Sequence, residues 1–177
     1  HLTPGDTGAP EGRAADLEVD VAALGIPPRD LQQTLGQQVL MLQAGREAAA
    51  EVGTLPRERT GVFVGMGIDA EVARYGARWR HGEGFVDVLQ SAGVIGTMPN
   101  IPANRLNRQL DLAGRSCTVS AEERSGLEAV DLAARALRSG ELDAALVGAV
   151  DMCCEPVQRA AAELGLSGGK KVPGDAA

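Results

Sequence analysis

Aromatic side chains are nearly missing from this chain of 177 residues: Phe63, Tyr75, Trp79 and Phe85 make up 2% of it. A core without them must be built from Ala, Leu and Val at close backbone distances, and the 23 glycines permit that approach. Histidine is scarcer still. His1 and His81 leave little room for a multi-histidine metal centre or histidine-rich catalysis. Cys117, Cys153 and Cys154 are an odd set with two adjacent members. That is no disulfide framework, and it points to a reducing compartment, hence the cytoplasm. Adjacent cysteines do not suit one tetrahedral zinc site, so Cys153 and Cys154 read as small buried hydrophobes. Long apolar runs are lacking as well. The longest, Ala144 to Val150, has seven residues, far below the roughly 20 of a membrane-spanning helix. His1 to Asp20 has neither the basic start nor the apolar stretch of a signal peptide. Nor is there an excess of positive charge. A net charge of -7 and a pI near 4.9 exclude a general nucleic-acid binder.

What is present is a soluble, globular composition, 44% hydrophobic and 23% charged. Residues 1–18 have no periodicity and several turn formers, and read as a linker. The apolar stretch 16–26 reads as a short strand or turn, stopped by Pro27 and Pro28. Leu31, Leu35, Val39, Leu42 and Ala49 then recur at helical spacing, which predicts a helix over 30–52, opened by Asp30 and ended by Gly53. TGVFVGM (60–66) predicts a strand, a short apolar helix follows near Phe85–Leu89, and another helix begins after Pro102. SCTVS (116–120) is a short strand. Residues 125–138 form the clearest helix, with Leu127, Val130, Ala134 and Leu137 on one face. Residues 143–152 read as a strand buried on both faces, 156–166 as a helix and 167–175 as a loop. Alternation of strands and helices indicates an α/β layered fold.

Four segments could carry chemistry. Gly65-Met66-Gly67-Ile68-Asp69-Ala70 fits G-x-G-x-x-A after a strand, the pattern of a dinucleotide site; in a glycine-rich chain the same pattern arises without one. RYGARWR (74–80) is a basic cluster around Trp79, either a contact for an anionic partner or a solvated face. The cysteine pair is the third. The fourth is the run from Ser116 into the helix at Ser125, a strand, a sharp turn and a helix start. Such an elbow is where α/β enzymes hold a nucleophile, because the helix N-terminus lowers a thiol's pKa and offers N–H groups to an oxyanion. Here it carries Glu122 and Glu123, which suit a helix N-terminus equally well through the dipole alone.

Several stretches, in order, resemble the N-terminal part of the β-ketoacyl synthase (ketosynthase) domains of polyketide and polyunsaturated fatty acid synthases. IPPRDLQQTLGQQVLMLQAGREAAAEVG is similar to the family's ISPREA…DPQQRLLLE…WEALE.AG helix, and RTGVFVGMGID to its RTGVFVG strand. Residues 100–151, containing GRSCTVSAEERSGLEA, resemble the run that reads GPSxTVDTACSSSLxA in the family, and VPGDAA resembles the start of a later strand. The likeness runs from residue 19 to 177. It implies a thiolase-like α/β fold, layered α-β-α-β-α, of which this chain would hold the N-terminal half as an incomplete domain (19–177).

The departures bear on function. Ser120, Ala121 and Glu122 stand where the family motif has Asp, Thr and Ala, and Glu123 stands at its nucleophilic Cys. A carboxylate in that place would give a labile mixed anhydride instead of a thioester. Cys117 falls six residues before the nucleophile position, and neither His1 nor His81 matches the family's catalytic histidines. Gly36, Gly45, Arg115 and Cys117 are further departures. The resemblance therefore implies a chain-length-factor or pseudo-ketosynthase type: a non-condensing segment that pairs with an active ketosynthase as a homo- or hetero-dimer and shapes the acyl pocket. Cys117, Thr118 and Val119 would lie at the dimer interface. An acyl carrier protein would be the other partner, its phosphopantetheine arm carrying substrate, with Arg74, Arg78 and Arg80 as docking candidates. No cofactor, metal, nucleic acid or membrane span is implied. Two alternatives remain: residual decarboxylation of a malonyl thioester assisted by Glu123 or Glu122, which would need a carboxyl kept protonated by burial, and a dinucleotide-binding domain using Gly65–Ala70.

Overall fold

Strand β1, Thr60–Gly65, explains the placement of everything else. Its side chains alternate between two helical layers. Val62 and Val64 belong to one core cluster, with Met41 and Leu42 on helix α3 (Gly36–Val52) and Leu106 on the helix Ile101–Gln109. Phe63 belongs to the other, with Ala129, Ala133 and Ala136 of the helix Ser125–Arg138. All six residues of the strand are buried. The computed structural model describes residues 19–67 and 91–152.

Among those residues the elements run α1 (Val21–Leu24), α2 (Pro28–Leu31), α3, a 3-10 turn (Arg57–Arg59), β1, α4 (Ser91–Thr97), α5 (Ile101–Gln109), β2 (Ser116–Val119), α6 (Ser125–Arg138) and β3 (Ala144–Ala149). The strands form a parallel sheet in the order β2-β1-β3. Val62 is opposite Ser116 and Leu146, so β1 is central, and α6 carries the chain from β2 to β3 across it.

Four expectations from sequence are corrected. Of the strand or turn expected before Pro27, the strand is not there and one helical turn stands in its place: Asp20 Oδ1 accepts from Ala23 N–H at 3.1 Å, and Gly25 closes the turn in the left-handed region at φ 59°. The helix expected over 30–52 is broken between α2 and α3. Asp30 does not cap it; its carbonyl accepts the Thr34 hydroxyl at 2.9 Å, while Leu35 N–H is taken by the Gly96 carbonyl at 3.0 Å. Gly36 is thus the first residue of α3 and carries no mid-helix penalty, whereas Gly45 is needed where a Cβ would meet Leu106 at 2.8 Å. Gly53 ends α3 as expected, at φ 84°. The strand buried on both faces is β1; β3 is half-buried because β1 has the centre of the sheet.

The fourth correction concerns α6. Its buried face is Ser125, Ala129, Ala133 and Ala136. Leu127, Val130 and Leu137, expected inside, are 73%, 54% and 41% exposed. At the first turn of α6 strand and helix come so close that glycine is needed on both, while farther along Leu132 packs against the Phe63 cluster. A Cβ on Gly65 would lie 2.5 Å from the backbone of Ser125 and Gly126, and one on Gly126 would lie 2.9 Å from the Ala149 Cβ.

A buried glutamine ties the periphery to this core. Gln38, fully buried, donates from Nε2 to the carbonyls of Ile95, Gly96 and Met98 at 3.2, 2.9 and 3.1 Å. Its Oε1 accepts from Arg105 Nη1 at 3.3 Å. At the opposite end of the sheet, Arg59 donates to both carboxylate oxygens of Asp143 at 2.6 and 2.8 Å and to the Gly140 carbonyl.

Candidate functional site

The turn between β2 and α6 is a strand-to-helix corner held by one hydroxyl. Ser125 Oγ accepts from Ala121 N–H at 2.9 Å and donates to the Glu122 carbonyl at 2.6 Å. Ser125 N–H reaches that carbonyl as well, at 3.1 Å, and Arg124 N–H donates to the Ala121 carbonyl at 3.1 Å. Glu122 sits at φ 52°, in the left-handed region, where a residue without glycine's freedom persists only if its surroundings impose it. Here the imposing groups are Ser125 and the close seat of α6 on Gly65.

Glu122 and Glu123 both lie in this corner, as expected, and both are exposed. Neither caps α6: Arg124 is the N-cap residue and no side chain hydrogen-bonds there. The two acids stand beside the helix start as charges near its dipole without a capping bond, and Ser125 does the bracing. Ser125 was hidden in sequence because a serine in the first turn of a helix reads as an ordinary polar residue.

Cys117, Thr118 and Val119 lie on β2, whose only neighbour among the described residues is β1. Cys117 and Val119 pack towards Phe63 and α6. Cys117 is a free thiol. On the opposite face, Ser116 Oγ donates to Asn104 Oδ1 at 2.9 Å, and the Thr118 hydroxyl is buried without a partner. Arg115 covers the Phe63 ring, its guanidinium carbon 5.9 Å from the ring centre, which gives this departure from the family pattern a packing role.

Of the dinucleotide pattern, Gly65 is accounted for by its contact with α6, and a Cβ on Gly67 would meet nothing within 4 Å; Ile68, Asp69 and Ala70 lie outside the described residues. So do the linker 1–18, His81, the basic cluster with Arg74, Arg78, Trp79 and Arg80, the segment Phe85–Leu89, Cys153, Cys154 and everything from 156 onward. Among the described residues no helix is long and apolar enough to cross a membrane.

A parallel sheet with a helix seated on a tight corner after its edge strand matches the pattern of residues 100–151, and the chain-wide comparison agrees. Residues 4–166 match the family described as "Beta-ketoacyl synthase, N-terminal domain". The chain belongs to this family. Polyketide synthase ThaG from Burkholderia thailandensis is 33% identical to it over 156 residues, 84% of this chain and 3% of that protein. Polyketide synthase GfsA from Streptomyces halstedii is 33% identical over 145 residues, 78% of this chain and 2% of that protein. The ketosynthase from module 6 of the bacillaene synthase of Bacillus subtilis 168 superposes with a TM-score of 0.60 at 26% identity, over 83% of this chain and 24% of that one. The chain thus spans a few per cent of the curated relatives and about a quarter of the solved ketosynthase. It has the thiolase-like α/β fold and is a β-ketoacyl synthase N-terminal domain.

Proposed function

We propose that this ketosynthase N-terminal domain is non-condensing, of the chain-length-factor type, and that it pairs with an active ketosynthase and shapes the acyl pocket. One observation carries the reading: the corner that bears the nucleophilic Cys in the family pattern is built in full, from the left-handed Glu122 to the Ser125 brace, yet presents Glu123. A carboxylate there holds no stable thioester. What the corner retains is shape, and shape is what a pocket wall needs.

Among the described residues β2 pairs with β1 alone, and this supports the pairing: a strand with one side unpaired is a template for another strand, and Cys117–Val119 would meet their counterpart across a two-fold or pseudo-two-fold axis. An acyl carrier protein presenting substrate on its phosphopantetheine arm is the third component, with Arg74, Arg78 and Arg80 as its docking residues. The assembly belongs in the cytoplasm, where Cys117 stays reduced.

Size-exclusion chromatography with light scattering tests the pairing. Mixed with the active ketosynthase of its synthase, the protein should elute as a one-to-one complex. A stable monomer that ignores the ketosynthase would refute the reading.

A further inference from the structure

Helix α3 has a second surface besides the one that meets β1. Gln43, Arg46 and Glu47 stand at i, i+3 and i+4 along it and so share one face. Opposite them runs α1. Asp20 opens that turn through its bond to Ala23 N–H. The Gln109 side-chain amide, at the end of α5, donates to the Leu24 carbonyl and holds the other end. Between the two walls lies a cleft of about 290 Å³, with Ala23 and the buried Leu24 on its apolar side. That is close to the lower bound of small-molecule pockets, roughly 300 Å³.

The polar groups of this cleft do not satisfy one another. Arg46 is half-buried, and among the described residues it has neither a carboxylate partner nor a hydrogen-bond acceptor. Arg57, Arg59, Arg115, Arg124 and Arg135 each have a carboxylate oxygen within 3.9 Å. A guanidinium drawn partly out of water without an anion lacks the partner that would offset its lost hydration. On the acidic side, Asp20 accepts through Oδ1 alone. Glu47 accepts through Oε1 alone, from Gln43 Nε2 at 3.1 Å. With its nitrogen given to Glu47, Gln43 keeps an Oε1 that is buried without a donor. The cleft thus holds one cation short of an acceptor and three side chains short of donors. A simple anion would suit Arg46 and be repelled by Asp20 and Glu47. A simple cation would suit the acids and leave Arg46 as it is.

We infer that the cleft between α1 and α3 binds a small aliphatic α-amino acid as its zwitterion, with the carboxylate on Arg46, the ammonium on Asp20 and Glu47, and the side chain against Ala23 and Leu24. The ammonium brings three N–H donors to the side of the cleft that has none to spare. The carboxylate gives Arg46 a charge-assisted partner. This site is separate from the corner at Glu123 and does not depend on the pairing proposed for β2. A ligand seated there joins α1 to α3 and stabilises the folded chain by mass action.

The polypeptide that carries this chain is titrated by calorimetry and by ligand-observed NMR with L-leucine and with two truncated analogues. Isocaproate lacks the ammonium, and isoamylamine lacks the carboxylate. Leucine should bind, and each analogue should bind about tenfold more weakly, since each loses one set of charge-assisted hydrogen bonds. Arg46→Gln should weaken leucine by a similar factor and leave isoamylamine unchanged. Glu47→Gln should weaken leucine and spare isocaproate. Arg108→Gln, at an exposed arginine of α5, should alter none of the three. Thermal melts without ligand should show both cleft variants folded like the parent; the comparison of leucine with its analogues needs no variant at all. Isocaproate binding as tightly as leucine overturns the ammonium site, and isoamylamine doing so overturns the carboxylate site. Leucine binding that survives Arg46→Gln undiminished, or no binding of leucine, overturns the assignment as a whole.

Discussion

Helix α6 is apolar on two sides, and the described residues cover only one. Ala129, Ala133 and Ala136 lie against Phe63, while Leu127, Val130 and Leu137 look outward. Size, not hydrophobicity, decides which side meets the sheet. Gly65 brings the strand backbone against the Ser125-Gly126 backbone, and the alanines that follow keep the helix close to Phe63, with Leu132 at the margin of the same cluster.

This contrast breaks in measurable ways. The largest effect belongs to Phe63, fully buried and the one aromatic ring in that contact. Phe63→Ala should cost about 3–5 kcal/mol in chemical denaturation. Gly65→Ala should cost about 1–3 kcal/mol, because its added methyl meets backbone and not a yielding side-chain tip. Leu127→Ala, which removes far more carbon, should change the stability of the isolated chain by no more than about 0.5 kcal/mol. If Leu127 proved as costly as Phe63, the assignment of the two sides would be reversed. The smallest effect lies at the far end of the sheet. The hydrogen bond from Arg59 holds the Asp143 carboxyl below the ordinary carboxylate range. A group whose pKa is lower folded than unfolded stabilises the fold above its unfolded value, about 4 for Asp, and loses that contribution as the pH falls through the folded one. Thermal melts from neutral to acid pH should therefore show a small loss that Arg59→Gln diminishes; both side chains are exposed, which keeps the effect slight.

The same contrast shows how far sequence carries. Thr60–Gly65 and Ser125–Arg138 are legible because a β-rich run between breakers, and a helical run stopped by Ser139-Gly140, report local geometry. The inward side of α6 is not legible, since periodicity marks the largest apolar residues and the sheet selected the smallest. Gln38 is invisible for another reason. Glutamine reads as surface polarity, and the carbonyls that justify its burial lie 57 to 60 residues away. The break between α2 and α3 likewise depends on Gly96, distant in sequence. The corner itself was legible through the family pattern, which placed Glu123 between β2 and α6, where it stands. Ser125, which holds the corner, was not, because its role comes from a backbone fold that local composition does not describe.

Covalent loading tests the central claim most directly. The protein is incubated with a radiolabelled acyl thioester beside an active ketosynthase, and both are mapped for label. The account predicts acylation of the ketosynthase and none on this chain, with label appearing here only after Glu123→Cys. An acyl group recovered on the unaltered chain would mean that it retains a nucleophile, and that the corner does more than lend its shape.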